Sequence, residues 1–265
     1  MRKWLTNIED PKGTIVIVHG ALEYHGRYKW LVEKFNDVGY HVVMGDLPGQ
    51  GLSTRRRGHI YSFDEYMEEI ESWIKEAYSL EPPVFVLGHS MGALAVIRTL
   101  QEKKELLLNG IILSSPCLGL ASYPNKAVEI ISRGLNVVKP TMLFNADITL
   151  SKVTRNRVVQ EVGRKDTLYV KKVSVRWYRE LLEAIKLAHL KTNELPKHVP
   201  LLVMQAGEDL IVKKEDTEQW FNLYKGKNKS YVEWEGLYHE IFNEPEREEV
   251  FRYTYSFIEL HLNGN

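Results

Sequence analysis

The sequence predicts an α/β fold, with a mostly parallel central sheet covered by helices on both faces. Three observations carry this. Short apolar runs alternate with helical stretches along most of the chain. The run Val84-Phe85-Val86-Leu87 leads straight into Gly88-His89-Ser90-Met91-Gly92, and Ala93-Leu94-Ala95-Val96-Ile97 follows, which reads as strand, sharp turn and closely packed helix. The length, 265 residues, suits one large α/β domain or one such domain with an insertion.

Residues 14–19 form a run apolar enough for a buried strand, and residues 28–38 a helix closed by Gly39. Residues 41–46 read as a strand. Residues 63–80 have helical spacing, with Tyr66, Ile70, Trp73, Ile74 and Ala77 on one face. Residues 84–87 are the strand before the turn, 91–103 the helix after it, and 110–115 a strand ended by Pro116. Residues 200–206 and 230–235 are further strands, with helices at 214–224 and 246–261. The stretch from Cys117 to Pro196 breaks the alternation. It carries helical patterns at 125–138 and 173–190 and no clear strand, and it is too long for an ordinary β-α-β connection. An all-helical cap over a functional site is therefore expected at 117–196, with the core formed by 1–116 and 197–265.

Basic and acidic side chains number 35 each, so the charge pattern gives no reason to expect nucleic acid as a partner. The single cysteine, Cys117, leaves no intrachain disulfide and no cysteine cluster for zinc; it is expected to be a small buried residue. The N-terminal residues lack the apolar stretch of a signal peptide, and no run approaches the roughly 20 residues of a membrane span. These features lead us to expect a soluble cytoplasmic protein with no obligate protein partner, a transient contact with a membrane surface staying open.

The chemistry resides in the Gly-x-Ser-x-Gly turn. A serine hydroxyl is a poor nucleophile at neutral pH and needs a base within hydrogen-bond reach, itself oriented by a carboxylate. In this strand-turn-helix setting the chain order is serine, carboxylate, histidine. Asp209 follows the 200–206 strand and His239 the 230–235 strand, both at the sheet edge where ligands bind in open α/β folds. Glu208 is the rival carboxylate beside Asp209. An oxyanion hole needs two backbone N–H groups: Met91, after the serine, supplies one, and Ala21, in the loop after the first apolar strand, the other, with Leu22 as the alternative. His19 is expected to satisfy backbone groups. Such a site needs neither metal nor organic cofactor.

Several segments together carry a resemblance. They are His19-Gly20-Ala21-Leu22-Glu23-Tyr24-His25-Gly26-Arg27-Tyr28, Gly45-Asp46-Leu47-Pro48-Gly49-Gln50-Gly51, the serine turn, Ser114-Ser115-Pro116 and Tyr238-His239-Glu240. With them the chain resembles the α/β-hydrolase superfamily and, within it, the monoacylglycerol lipase and lysophospholipase group. The stretches around Trp177 and from Glu233 to Pro245 are similar to its bacillary phospholipase branch. The resemblance implies an α/β-hydrolase fold with Ser90 as nucleophile, Asp209 as acid, His239 as base, and Ala21 and Met91 as oxyanion donors. It also implies a single-chain lipid ester, a monoacylglycerol or lysophospholipid, as substrate. The family's usual Gly-His-Gly is Gly49-Gln50-Gly51 here, in a loop expected to be structural, and Ala93 replaces a frequent glycine. The N-terminus is short for the family's leading antiparallel strands.

The apolar face of the 125–138 helix is expected to line a channel for an acyl chain, and Arg55-Arg56-Arg57 to form a solvated loop, contact with a phosphate headgroup or an anionic surface being the alternative. A thioesterase, a small-ester carboxylesterase or a peptidase would use the same three residues, and a non-catalytic binding protein on this scaffold is the alternative of another class. An epoxide hydrolase or dehalogenase of this fold would carry aspartate in place of Ser90.

Overall fold

The computed structural model describes residues 1–146 and 148–262. In chain order the elements are β1 (Arg2–Trp4), β2 (Gly13–Val18), α1 (Lys29–Asp37), β3 (Tyr40–Met44), α2 (Asp64–Leu80), β4 (Val84–His89), α3 (Met91–Glu102) and β5 (Gly110–Ser114). There follow α4 (Lys126–Val138), β6 (Leu143–Asn145), α5 (Leu150–Val153), α6 (Arg157–Lys165), β7 (Lys172–Ser174) and α7 (Val175–Leu190). The chain closes with β8 (Leu201–Ala206), α8 (Lys214–Leu223), β9 (Lys229–Trp234) and α9 (Arg247–Leu260).

Seven strands form one sheet in the order β1-β3-β2-β4-β5-β8-β9. All neighbours are parallel except β1, which pairs antiparallel with β3 at one edge of the sheet. The strand sequences alternate by face. Val16 and Val18 of β2 join a core with Trp73, Val86 and Trp220 on one side, whereas Ile15 and Ile17 pack with Phe35, Leu87 and Ile258 on the other. Burial on both faces explains why the parallel strands read as nearly unbroken apolar runs.

Between β5 and β8, the described residues of 117–196 add no strand to this sheet. Side-chain caps start α4, α6 and α7: Asn125 Oδ1 accepts the Val128 N–H at 3.0 Å, Asn156 Oδ1 that of Val158 at 3.1 Å, and Ser174 Oγ that of Trp177 at 3.1 Å. The segment is not all-helical as expected. β6 and β7 pair antiparallel from Leu143↔Ser174 to Asn145↔Lys172, strands of three residues each, too short to leave a period in the sequence. Its two long helices also differ in role. α7 buries Trp177, Leu181, Ala184 and Ala188 in the main core, while α4 buries no residue at all.

Candidate functional site

The turn after β4 holds Ser90 at φ 54° and ψ −120°, a left-handed conformation that costs a non-glycine residue energy. Hydrogen bonds on both sides fix it: the Ser90 N–H donates to Ser114 O at 2.9 Å, and Ser90 O accepts from the Cys117 N–H at 3.1 Å. The glycines make the close packing possible. A Cβ on Gly92 would lie 2.3 Å from His19 O, and one on Gly88 2.6 Å from the Ala93 Cα.

His239 Nε2 lies 2.8 Å from Ser90 Oγ, and His239 Nδ1 lies 2.8 Å from Asp209 Oδ2. Asp209 Oδ1 accepts the Ile211 and Val212 N–H groups at 2.9 and 3.0 Å, and its side chain is fully buried. Glu208, the neighbouring carboxylate, is exposed. The carboxylate and histidine loops are joined by the Gly207 N–H to Trp234 O and the Glu208 N–H to Leu237 O. Burial alone would lower the His239 pKa, but the Asp209 charge and hydrogen bond, helped by Glu240 and Glu23, raise it above the ordinary histidine value. Burial acts on Asp209 in the opposite sense, and its hydrogen bonds with His239, Ile211 and Val212 hold it below the usual carboxylate range.

Ala21 and Met91 flank the serine, Met91 as the first residue of α3, where backbone N–H groups lack helical partners. The Leu22 N–H is spent on Gln50 Oε1 at 2.9 Å, whereas among the described residues neither the Ala21 nor the Met91 N–H is engaged. Gln50, whose loop was expected to be merely structural, thus holds the loop of Ala21; its Nε2 donates to Tyr66 Oη at 3.3 Å. His19 satisfies backbone groups, accepting the Leu47 N–H at Nε2 and lying 2.8 Å from Gly20 O through Nδ1.

Two features were not read from the sequence. His89 packs against His239, ring centroids 4.8 Å apart, and burial first, then the neighbouring imidazole, depress its pKa to about 4. Arg27 sits buried between Glu23 and Glu240, and Glu23 in turn accepts the Gly20 N–H at 2.6 Å and the Tyr28 hydroxyl at 2.7 Å. The motif residues for this network stand in the 19–28 segment, but nothing in a linear sequence says that Glu240 closes it.

Two cavities meet at Ser90 and share Ala21, Leu22, Ala146, Ile148 and Ile211. One arm, of about 420 Å³, is lined by apolar side chains such as Leu120, Phe144, Val173, Trp177 and Leu181, and by Met91; among the described residues its only charged side chain is Lys152. The other, of about 280 Å³, is lined by His239 and by the charged residues Glu23, Arg27, Arg164, Asp166, Lys171 and Glu240. α4 lines neither arm, and its apolar residues Val128, Ile131 and Val138 face outward, contrary to the expected channel. A periodic stripe establishes a face but not the direction in which it points. The arginine run is likewise outside both arms. Arg55 pairs with Glu65, Arg56 reaches Thr141 O, and Arg57 donates to Gly51 O, Thr167 O and Leu168 O, tying the core loop to the inserted segment. Among the described residues no group of three or more His, Cys, Asp or Glu side chains is arranged to hold a metal ion.

A doubly covered parallel sheet with serine, histidine and carboxylate linked at its carboxyl edge defines the α/β-hydrolase class. Residues 9–246 match the family model described as serine aminopeptidase, S33, and the chain belongs to that family. It is 53% identical to phospholipase YtpA of Bacillus subtilis, over 98% of this chain and all of that protein. It is 29% identical to human monoglyceride lipase, over 88% of this chain and 77% of the relative. The crystal structure of Paleococcus ferrophilus monoacylglycerol lipase superposes with a TM-score of 0.88 at 29% identity, covering 98% of both chains. The expected placement in the monoacylglycerol lipase and lysophospholipase group therefore holds, and the chain is an enzyme of the lipolytic hydrolase type.

Proposed function

We propose that the chain is a serine carboxylester hydrolase that cleaves single-acyl-chain lipids through an acyl-enzyme. His239 Nε2 takes the Ser90 proton as Oγ attacks the ester carbonyl, and the oxyanion forms against the Ala21 and Met91 N–H groups. Asp209 holds the imidazole and stabilises the imidazolium. The C–O bond to the alcohol then breaks, and His239 returns its proton to the departing oxygen. Water, activated by the same histidine, hydrolyses the acyl-Ser90 ester and frees the acid and the serine.

The observation that carries the reading is the position of Ser90 at the junction of an apolar and a polar arm. His239 must protonate the leaving oxygen, and it lines only the polar arm. Met91 lines only the apolar arm. The acyl chain thus belongs in the apolar arm and the alcohol with its headgroup in the polar one. An aminopeptidase would instead need an unspent carboxylate for a substrate amine. Glu23, Asp166 and Glu240 each already take two or three hydrogen bonds.

We take residues 117–196 as the cap, with 1–116 and 197–265 as the core, although α7 packs with the core. The outward apolar residues of α4 (Ile130 is 68% and Val137 81% exposed), beside Lys126, Arg133 and Lys139, suit a transient contact with a lipid surface. The test is kcat/KM on a monoacylglycerol and a lysophospholipid of one acyl length, with Ser90→Ala as control. Ser90-dependent cleavage of either supports the proposal. Cleavage of a short soluble ester alone contradicts the lipid assignment.

A further inference from the structure

We propose that Arg164 and Lys171, with the Tyr169 hydroxyl, form a phosphate subsite in the polar arm that takes the headgroup of a lysophospholipid. The inference rests on the serine-esterase reading and deepens it. All three residues line the arm on the His239 side, where the leaving alcohol departs.

The charges in this arm are not equivalent. Arg27 is consumed by Glu23 and Glu240, and Asp166 by the Tyr24 hydroxyl at 2.5 Å and the Leu168 N–H at 2.8 Å. Arg164 and Lys171 are exposed at the mouth, and among the described residues their side chains make no hydrogen bond or ion pair. The Tyr169 ring stacks on the Arg27 guanidinium at 5.0 Å, and its hydroxyl is likewise unengaged among the described residues. The unspent donors shown in this arm are therefore these two cations and the Tyr169 hydroxyl, while its carboxylates are already in use. A phosphodiester matches that balance, and a guanidinium and an ammonium together bind it well.

The segment is also held in place. The Val170 N–H donates to Leu22 O at 2.9 Å, in the loop of Ala21, and Lys171 O accepts the Ala146 N–H at 3.1 Å. Arg57 grips the Thr167 and Leu168 carbonyls. The backbone that carries Tyr169 and Lys171 is thus tied to the loop beside Ser90.

The experiment compares wild type, the double variant Arg164→Gln/Lys171→Gln and the control Arg157→Gln, an exposed cap cation outside the cavity. Substrates are lysophosphatidylglycerol and monoacylglycerol of one acyl length, each dilute in neutral detergent micelles, and a soluble p-nitrophenyl ester. The double variant is expected to lose about tenfold in kcat/KM on lysophosphatidylglycerol, the order expected for charged hydrogen bonds. Its monoacylglycerol and soluble-ester rates should stay at the wild-type level, as should every rate of Arg157→Gln. A parallel loss on both lipids, no loss on the phospholipid, or an equal loss in Arg157→Gln would overturn the proposal. So would inorganic phosphate competing with monoacylglycerol in wild type while lysophosphatidylglycerol turnover ignores the two cations, since the site would then take free phosphate. Failure of wild type on the soluble ester would instead defeat the esterase reading itself.

Discussion

Arg27 and Glu240 form a two-pronged ion pair, Nη1 to Oε1 at 2.5 Å and Nη2 to Oε2 at 2.6 Å, buried directly beside the histidine that faces Ser90. Through its contact with Glu23, the same guanidinium joins the His239 loop to the loop of Gly20 and Ala21. Burial pushes the Glu240 pKa upward, but Arg27 outweighs it and brings the carboxyl to about 2. Removing one partner of such a pair leaves uncompensated buried charge. Arg27→Gln is expected to lower unfolding stability by about 3–5 kcal/mol, measured by urea denaturation, and Arg27→Lys to recover part of it. A loss confined to a few tenths would show the network to be dispensable.

The pH profile should report His239. The base must be neutral to take the serine proton, and its pKa is raised, so protonation removes activity at a higher pH than for an ordinary histidine. The acid limb of kcat/KM is expected above about 6.5. His89, held near 4, stays neutral there and does not contribute. Asp209→Asn removes the main raising influence and should move the limb downward as turnover falls. A wild-type limb at or below the ordinary histidine value would contradict the electrostatic account.

The apolar arm should set acyl length. Leu120 is one of the apolar side chains that line it. Leu120→Trp fills the arm and is expected to cut kcat/KM on a long-chain ester by about an order of magnitude, leaving a short-chain ester little changed. Chain-length profiles of the two proteins decide this, and an unchanged profile would move the acyl chain elsewhere.

Cys117 is buried, and burial, with the Asp209 charge adding, pushes its thiol up to about 12. Thiolate is the reactive form. Iodoacetamide at neutral pH should leave the native protein unlabelled and modify the unfolded chain once, as read by intact mass.

Much of this was legible because the relevant signals are local. The serine turn shows as an apolar run, Gly88, Ser90, Gly92 and small residues, since backbone collisions exclude a side chain at both glycines. Asp209 and His239 could be found because each immediately follows a strand run. Glu208 could be set aside only once burial was known. What the sequence concealed is long-range or directional. The Glu23–Arg27–Glu240 network spans more than two hundred positions. The α4 stripe looks the same whether it faces core or solvent, and Arg57 resembles a free cation until the carbonyls it grips are seen. β6 and β7 are too short for periodicity to register, and Gln50 gave no sign that its amide holds the Leu22 N–H.

Ser90, activated by His239 and Asp209, is the expected nucleophile. Incubation with a fluorophosphonate, followed by peptide mapping, tests it most directly. One adduct is expected, on Ser90, formed together with complete loss of esterase activity, and neither adduct nor activity in Ser90→Ala beyond the slight rate left by the oxyanion donors. An adduct on another residue, or near-wild-type turnover by Ser90→Ala, would contradict it.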